Sequence, residues 1–168
     1  IRSGAASAMK GMTMSKICGW LEGARPPPAK VDDPVSGVQR MAQRLGGLSS
    51  SSVQYRLNAG AAVAVRAHPG AIEVCKDGAL LIALAGRPTW SDADLQARAA
   101  HTGMAQSVLH TWRERGPALL GALHGSFSLS VLDSDREEGL LAIDRVGTHT
   151  LCYAQRGSTL VFGANADA

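Results

Sequence analysis

The sequence predicts an α+β fold with mostly antiparallel strands, because strand patterns, helix patterns and strand patterns again follow one another along the chain. Between positions 53 and 86 the apolar residues alternate with polar ones or form short runs between turn residues, which is typical of strands. Apolar residues at helical spacing follow from 91 to 123, and strand patterns return from 127 to 163. Helices segregated from strands in this way favour antiparallel layers over the parallel sheet of an α/β protein.

The first elements are a strand, a linker and a helix. A short apolar strand is predicted at 17–21, followed by a linker at 23–34 that holds three consecutive prolines. Proline lacks a backbone donor, so this linker is neither a helix interior nor a central strand. A helix is predicted at 35–45, where apolar residues fall on one face, and Gly46 and Gly47 end it.

The middle and last parts of the chain supply the remaining elements. Strands are predicted at 53–57, 61–65, 72–75 and 79–85, and turn residues at 68–70 and 76–78 indicate an antiparallel meander. Ser91 is the predicted N-cap of a helix, a second helix carries apolar residues from 104 to 112, and Pro117 begins a third. The final strands are predicted at 127–132, 140–144, 150–155 and 160–163.

The composition limits the classes of protein that this sequence can represent. Its 168 residues are enough for one domain with a short tail, and 45% hydrophobic with 18% charged residues exclude intrinsic disorder. No stretch reaches the ~18 apolar residues needed to cross a membrane, so no membrane partner is expected. The net charge of +3 comes from scattered basic residues without interleaved aromatic residues, so no nucleic-acid partner is expected either.

The three cysteines, Cys18, Cys75 and Cys152, lie far apart in the sequence. Their spacing is not that of zinc ligands and the histidines do not complete a set, so no metal site is predicted. An odd number of cysteines without a secretory signal favours reduced thiols and a cytoplasmic protein. Cys75 and Cys152 lie within apolar strand patterns, so both are predicted to be buried. Structural roles rather than metal ligation are predicted for the histidines considered, which are His101, His110, His124 and His149.

Asp144 and Arg145 lie at the end of a predicted strand, just before the glycine turn at Gly147. An acid and a cation side by side can supply a proton and an electrophile, but they also form ion pairs that hold turns. We interpret them as a buried ion pair that fixes this turn.

The last third of the chain carries short motifs whose order and spacing match one family. Trp-Arg-Glu-Arg-Gly ends a helix, Gly-Ser-Phe-Ser-Leu begins a strand that runs into an Asp, and Asp-Arg-Val-Gly precedes Leu-Cys-Tyr. Cys-Gly-Trp at 18–20 is similar to the Cys-Gly-Ile opening of the same family. Together these motifs resemble the glutaminase domain of asparagine synthetases, which are class II glutamine amidotransferases of the Ntn-hydrolase fold. The positions that carry the resemblance are Gly116, Gly125, Phe127, Asp133, Asp144, Gly147, Leu151, Tyr153 and Phe162.

The resemblance implies a fold and a chemistry. The fold is a four-layer αββα sandwich of two mostly antiparallel sheets over residues 17–168, with residues 1–16 as a leader or a cloning remnant. In that family an N-terminal Cys attacks the side-chain amide of glutamine while its own α-amine acts as the base, and Cys18 matches this nucleophile. An Asn side chain and a Gly amide stabilise the oxyanion, and an Arg binds the substrate carboxylate. Gly86 and Arg66 match the Gly and the Arg.

Several positions depart from the pattern of the family. Residues precede Cys18 in this sequence, so its nitrogen is an amide and cannot act as a base unless the Ile17–Cys18 bond is cleaved. Ala85 stands in place of the oxyanion Asn, Arg87 in place of an acid, and Met104 near the place of the Asp that binds the substrate amine. Cys18 is therefore interpreted as a vestigial nucleophile.

Two functions follow from the resemblance. The first is a degenerate domain that acts as the scaffold of an ATP-dependent amide-forming enzyme, as in β-lactam synthetases and lasso-peptide cyclases. The sequence contains no Ser-Gly-Gly-x-Asp-Ser loop for ATP, so ATP and Mg²⁺ are expected only in a synthetase half, and no cofactor in this domain. The alternative is an active glutaminase that produces glutamate and ammonia once Cys18 is released as the N-terminal residue. A free-standing interaction module is a third, less favoured, function.

The expected partners follow from the same two functions. They are a C-terminal synthetase domain or its substrate, and glutamine if the domain is active. Exposed strand edges of a two-sheet sandwich are also compatible with a homodimer.

Overall fold

The computed structural model describes residues 15–23, 33–46, 52–67 and 72–167, and these residues form an α+β sandwich of two antiparallel sheets. The helices in these residues are α1 (Pro34–Arg44), α2 (Ala93–Thr102), α3 (Met104–Arg115) and a short 3₁₀ helix (Gly116–Gly121). The strands are β1 (Lys16–Leu21), β2 (Ser52–Asn58), β3 (Ala61–Ala67), β4 (Ile72–Asp77), β5 (Leu80–Trp90), β6 (Leu123–Asp133), β7 (Glu138–Ile143), β8 (Cys152–Arg156) and β9 (Thr159–Gly163).

The strands divide into two sheets, which we call A and B. Sheet A has the order β2–β3–β1–β9–β8 and sheet B the order β4–β5–β6–β7. The meander predicted between positions 53 and 86 is wrong at one point, because β3 belongs to sheet A and β4 to sheet B. The turn predicted at 68–70 lies outside the described residues. β1 is the central strand of sheet A, and β5 and β6 are the central strands of sheet B.

The two sheets pack face to face, and helices cover their outer faces. α1 covers sheet A through Val38 and Ala42, and α2 and α3 cover sheet B through Leu95, Val108 and Leu109. The α+β fold class is therefore confirmed, with the layers in the order helix, sheet, sheet, helices. The core between the sheets consists of small and aliphatic side chains with one aromatic ring, and its buried members are Ile17, Leu21, Ala61, Val63, Val65, Leu81, Ala83, Ala85, Leu132 and Phe162.

Local sequence explains most element boundaries, with small differences from prediction. β5 is longer than predicted, and its first six residues are buried because a sheet covers one of its faces and helices the other. The N-cap of α2 is Asp92 rather than Ser91, since the Asp92 carboxylate accepts hydrogen bonds from the amides of Asp94 (3.0 Å) and Leu95 (3.2 Å). The helix predicted at Pro117 is the short 3₁₀ helix, which packs Leu119 into the core of sheet B.

The burial predicted for the two later cysteines is only partly correct. Cys75 is half-buried, and its thiol donates to the carbonyl of Ala105 at 3.4 Å. Cys152 is exposed, because β8 is an edge strand that nothing in the described chain covers. No helix in the described part of the chain combines the length and the apolar character that crossing a membrane requires.

Candidate functional site

Cys18 lies in the middle of β1, with β3 on one side and β9 on the other. It is paired with Ala64 of β3 and Gly163 of β9. Successive residues of a strand face opposite sides of the sheet. Ile17 and Leu21 face the core between the sheets, so Cys18 faces the outer side of sheet A, where α1 packs.

The thiol of Cys18 is sealed in an apolar environment. It has no exposed surface and packs against Val38 and Ala42 of α1, Leu45 at the end of that helix, and Ala62 of β3. Burial disfavours the charged thiolate and raises the pKa of Cys18 to about 12. The buried members of this cluster are aliphatic, and Trp20, Met41 and Tyr55 pack at its edge, so no side chain in it carries an amine, an imidazole or a carboxylate. In this arrangement Cys18 is a small core residue.

Arg66, the residue matched to the substrate carboxylate, is engaged elsewhere. It lies on the same face of sheet A as Cys18, and its guanidinium donates to the carbonyl of Ala42 at 3.3 Å. The Lys16 amine donates to the carbonyl of Leu45 at 2.8 Å, and the Asn165 amide donates to the carbonyl of Arg44 at 3.3 Å. The last carbonyls of a helix lack partners within the helix and carry partial negative charge. Arg66 is therefore part of a set that holds the C-terminal end of α1 against sheet A.

Gly86 lies in sheet B rather than beside Cys18. It follows the buried half of β5 and is paired with Phe127 of β6. Its φ of +109° is a conformation that residues with a side chain rarely adopt. Ala85 precedes it with no exposed surface, and its methyl group belongs to the core between the sheets. A methyl group cannot donate a hydrogen bond, so the side chain of Ala85 supplies no donor to an oxyanion.

A turn organised by Asp144 follows β7. The amide of Asp144 donates to the carbonyl of Phe127 at 3.0 Å, which attaches the turn to β6 beside Gly86. One carboxylate oxygen accepts from the amides of Val146 (3.2 Å) and Thr148 (3.1 Å). The other oxygen accepts from the Thr148 hydroxyl (2.6 Å) and the His149 amide (3.2 Å). Asp144 thus accepts four hydrogen bonds from the turn that follows it.

The same contacts determine the ionisation of Asp144. Burial alone raises the pKa of a carboxyl group, but the hydrogen bonds from the Thr148 hydroxyl and from the amides of Thr148 and His149 outweigh it. The net effect lowers the pKa of Asp144 to about 2. The Thr148 hydroxyl donates its one hydrogen bond to Asp144. The Ser126 hydroxyl, 2.7 Å from the Thr148 hydroxyl, therefore donates to it. The turn is thus tied to β6 a second time.

The ion pair predicted between Asp144 and Arg145 is wrong. Arg145 is exposed and donates to the carbonyl of Gly121 at 3.5 Å, while backbone amides and a hydroxyl satisfy Asp144. Asp144 does fix the turn, as predicted for the pair, but it does so through three backbone amides and the Thr148 hydroxyl rather than through Arg145. An Asp followed three residues later by Gly is the sequence signal for such a turn.

His149 is brought to Gly86 by this turn. The residue is only 5% exposed, and a methyl group placed on Gly86 would lie 3.0 Å from the Nε2 atom of its ring. The imidazole therefore fills the space beside the glycine that the sequence matched to oxyanion binding. Sequence reasoning assigned His149 a structural role but did not connect it to Gly86, because nothing local in the sequence relates the two positions.

The pH dependence of stability is expected to report the environment of His149. Burial lowers the pKa of its imidazole, and the nearby Asp144 charge offsets this only in part. The unfolded chain therefore binds this proton at a higher pH than the folded chain. The contribution of His149 to stability is fully present above about pH 6.5 and is lost as the pH drops through the folded pKa. Urea unfolding at several pH values across this range compares wild type with His149→Gln. Wild type should lose stability as the pH falls, and His149→Gln should lack this part of the loss. His101→Gln, on the exposed side of α2, is the control and should retain the wild-type pH profile.

A surface groove lies at the end of sheet B that is remote from Gly86. The groove, of about 430 Å³, is lined by the β4–β5 turn, α3 and the β6–β7 turn. Arg113 forms an ion pair with Asp77 at 2.6 Å, and Arg136 lies 3.8 Å from Asp133. Leu80 at this groove and Gly86 are six positions apart on β5, which is about 20 Å along the strand. The groove is therefore separate from the Gly86 region.

The three residues matched to glutaminase chemistry do not converge on one reacting point. Cys18 and Arg66 share the outer face of sheet A under α1, while Gly86 lies in sheet B beside His149. The described ranges also contain no cluster of three or more His, Cys, Asp or Glu that could hold a metal ion. The polar cluster that the structure does assemble is centred on Asp144.

Comparison with known proteins points to the same part of the chain. No curated protein matches the sequence. Residues 91–168 match the family model described as the glutamine amidotransferase domain. The matched part includes strands β6 to β9 and the Asp144 turn, whereas Cys18, Arg66 and Gly86 precede it. The match supports a glutamine amidotransferase domain in this chain.

Proposed function

We propose that this domain has lost glutaminase activity and serves as the scaffold of an ATP-dependent amide-forming enzyme related to asparagine synthetases or peptide cyclases. The observation that carries the proposal is the burial of Cys18 beneath α1, in a cluster of side chains without an amine, imidazole or carboxylate group. ATP and Mg²⁺ belong to the synthetase partner, and this domain contributes surface and rigidity. We place the enzyme in the cytoplasm, where its thiols stay reduced.

The state of the Cys18 thiol is the first argument. The thiolate is the nucleophilic form of cysteine. With the pKa at about 12, almost no Cys18 thiol is ionised at neutral pH. Reactive cysteines have lowered pKa values and partial exposure, and Cys18 has the opposite on both counts.

The position of the Ile17–Cys18 bond is the second argument. The alternative function, an active glutaminase, needs this bond cleaved so that Cys18 gains a free α-amine as base. Ile17 has no exposed surface, is paired with Val65, and its carbonyl accepts the amide of Ala164 at 2.9 Å. Cleavage would have to reach a bond in the central strand of sheet A. The fold therefore supports the scaffold role over maturation.

The missing donors are the third argument. Removing one donor from an oxyanion hole costs about 100- to 1,000-fold in acyl-transfer enzymes. The side chain of Ala85 has no donor, and the His149 ring fills the space beside Gly86. Arg66 is engaged with the end of α1, so the substrate carboxylate also lacks its partner. Even a released Cys18 would meet an incomplete site.

A glutaminase assay on the 168-residue chain tests the proposal directly. Glutamate release from glutamine should equal that of Cys18→Ser, since neither protein has a working nucleophile. Intact mass measured on the same sample establishes whether Ile17–Cys18 has been cleaved. Release of glutamate that depends on Cys18 would overturn the scaffold role and establish the alternative.

Thiol labelling tests the burial on which the proposal rests. With iodoacetamide under native conditions, Cys152 should react first and Cys75 slowly, while Cys18 should react only when urea unfolds the chain. Peptide mapping identifies the modified residue. Rapid native labelling of Cys18 would show that α1 does not seal it.

The scaffold half of the proposal requires the complete enzyme. When this domain is joined to or bound by its synthetase partner, Cys18→Ala should leave ATP-dependent amide formation within about twofold of wild type. Deletion of the domain should abolish that activity. A tenfold or greater loss in Cys18→Ala, with the protein still folded, would contradict a purely structural role.

A further inference from the structure

Strand β8 is an open edge of sheet A. Within the described residues it pairs with β9 alone, and all five of its residues are exposed. Four of them carry no charge, and Arg156 at the end is the exception. Edge strands usually carry charges, bulges or covering elements that prevent pairing with another chain. The edge strand β4, by contrast, carries Lys76 and Asp77.

The hairpin geometry shows which backbone groups of β8 face outward. Arg156 and Thr159 flank a two-residue loop, Gly157–Ser158, so they form a hydrogen-bonded pair. Hydrogen-bonded and non-hydrogen-bonded pairs alternate along an antiparallel ladder. Ala154 therefore bonds to β9, while the amides and carbonyls of Tyr153 and Gln155 point to the open edge.

We propose that β8 pairs with β8 of a second copy of this chain, antiparallel and with the two-fold axis at Ala154. Tyr153 of one copy then faces Gln155 of the other, and these pairs form four hydrogen bonds across the axis. Ala154 faces its own counterpart as a non-hydrogen-bonded pair. This register overlaps all five residues of the strand and makes sheet A continuous through the dimer.

Charge favours a second copy as the occupant of this edge. In this register Arg156 of one copy faces Cys152 of the other, so the two Arg156 side chains lie at opposite ends of the paired strands. No like charges are opposed within the ten-residue ladder of the two copies. An isologous interface requires this self-complementarity, which the strand has.

Exposed apolar residues lie on β8 and in the chain segment that leads to it. Tyr153 is 75% exposed, Val146 82% and Ile143 41%, and all three belong to the segment from the end of β7 into β8. Specific stable interfaces bury about 1,200–2,000 Å² in total, more than strand pairing over five residues supplies. Tyr153 lies on the pairing strand itself and adds apolar area to a modest interface, so we expect a dimer that forms reversibly with concentration. The inference is independent of the proposed scaffold role.

Analytical ultracentrifugation of the full chain at increasing concentration tests for the dimer. Gln155→Pro should leave it monomeric, because proline removes an outward amide that β9 does not use. Circular dichroism checks that the variant is folded. If it is not, Tyr153→Lys, which places a charge on the open edge, replaces it as the deciding variant.

Disulfide trapping tests the register. In a Cys152→Ser background, Ala154→Cys should crosslink two copies under mild oxidation, since facing residues of a non-hydrogen-bonded pair have Cα atoms about 4.5 Å apart. Gln155→Cys is the matched control and should not crosslink, because its two Cα atoms lie about 9 Å apart. A concentration-dependent dimer that crosslinks at 154 supports the proposal. A chain that stays monomeric, or a dimer unaffected by both edge variants and not trapped at 154, overturns it and leaves the edge to a strand of a different protein.

Discussion

Gly86→Ala is expected to remove a large share of the stability of the domain. A methyl group at this position would overlap the carbonyl oxygen of Ser126 and lie 2.9 Å from the Cα atom of Phe127, and both are backbone atoms of the paired strand. The φ of +109° adds conformational strain for any residue with a side chain. Together these effects should cost about 4 kcal/mol or more, a large share of the stability of an ordinary domain. Urea unfolding followed by circular dichroism measures the loss.

Gly78→Ala separates the effect of crowding from that of positive φ. Gly78 has a φ of +59° in the β4–β5 turn, and a methyl group there would meet nothing within 4 Å. Its substitution should cost only about 1–2 kcal/mol, from the left-handed conformation alone. Equal losses in the two variants would mean that β5 and β6 do not approach as closely at Gly86 as the structure has them.

The strands and their succession along the chain could be predicted because their causes are local, whereas their division between the two sheets could not. The apolar run that becomes β5 is buried on both faces, and the turn residues around it mark its start. The Asp-x-x-Gly spacing at Asp144 likewise predicts a turn, which is present. The partners of Asp144 could not be predicted, because the sequence does not show whether its carboxylate binds the neighbouring Arg145 or the backbone amides of the turn.

Features that depend on how layers meet could not be predicted. Both faces of β1 are covered, so the apolar pattern gives no preference for the side that Cys18 faces. A lone Arg at the end of an apolar strand can bind either a ligand or the carbonyl groups at the end of a helix. The position of α1 decides which of these roles Arg66 has. Cys152 has an apolar sequence context but lies on an edge strand, and the edge is a property of sheet order.

Asp144→Ala is expected to be the second most destabilising change. It leaves four hydrogen-bond donors without an acceptor, which are the amides of Val146, Thr148 and His149 and the Thr148 hydroxyl. The side chain of Asp144 is nearly fully buried, and unsatisfied buried donors each cost about 1–3 kcal/mol, reduced where water enters the opened turn. A loss of about 3 kcal/mol at pH 7 is expected by urea unfolding. Hydrogen exchange at the His149 amide should increase in the same variant.

The Asp144→Asn variant isolates the role of charge. It keeps one oxygen for the amides of Val146 and Thr148, but its NH₂ group cannot accept from the Thr148 hydroxyl or the His149 amide, so an intermediate loss is expected. In wild type the lowered pKa of Asp144 gives stability that is complete above about pH 4 and lost as the pH falls through about 2. Asp144→Asn should lack this acid dependence, whereas Asp135→Asn, an exposed residue of the β6–β7 turn, should keep it. The turn places His149 beside Gly86. An Asp144→Asn protein with wild-type stability and pH profile would contradict the role that we assign to Asp144 in holding this turn.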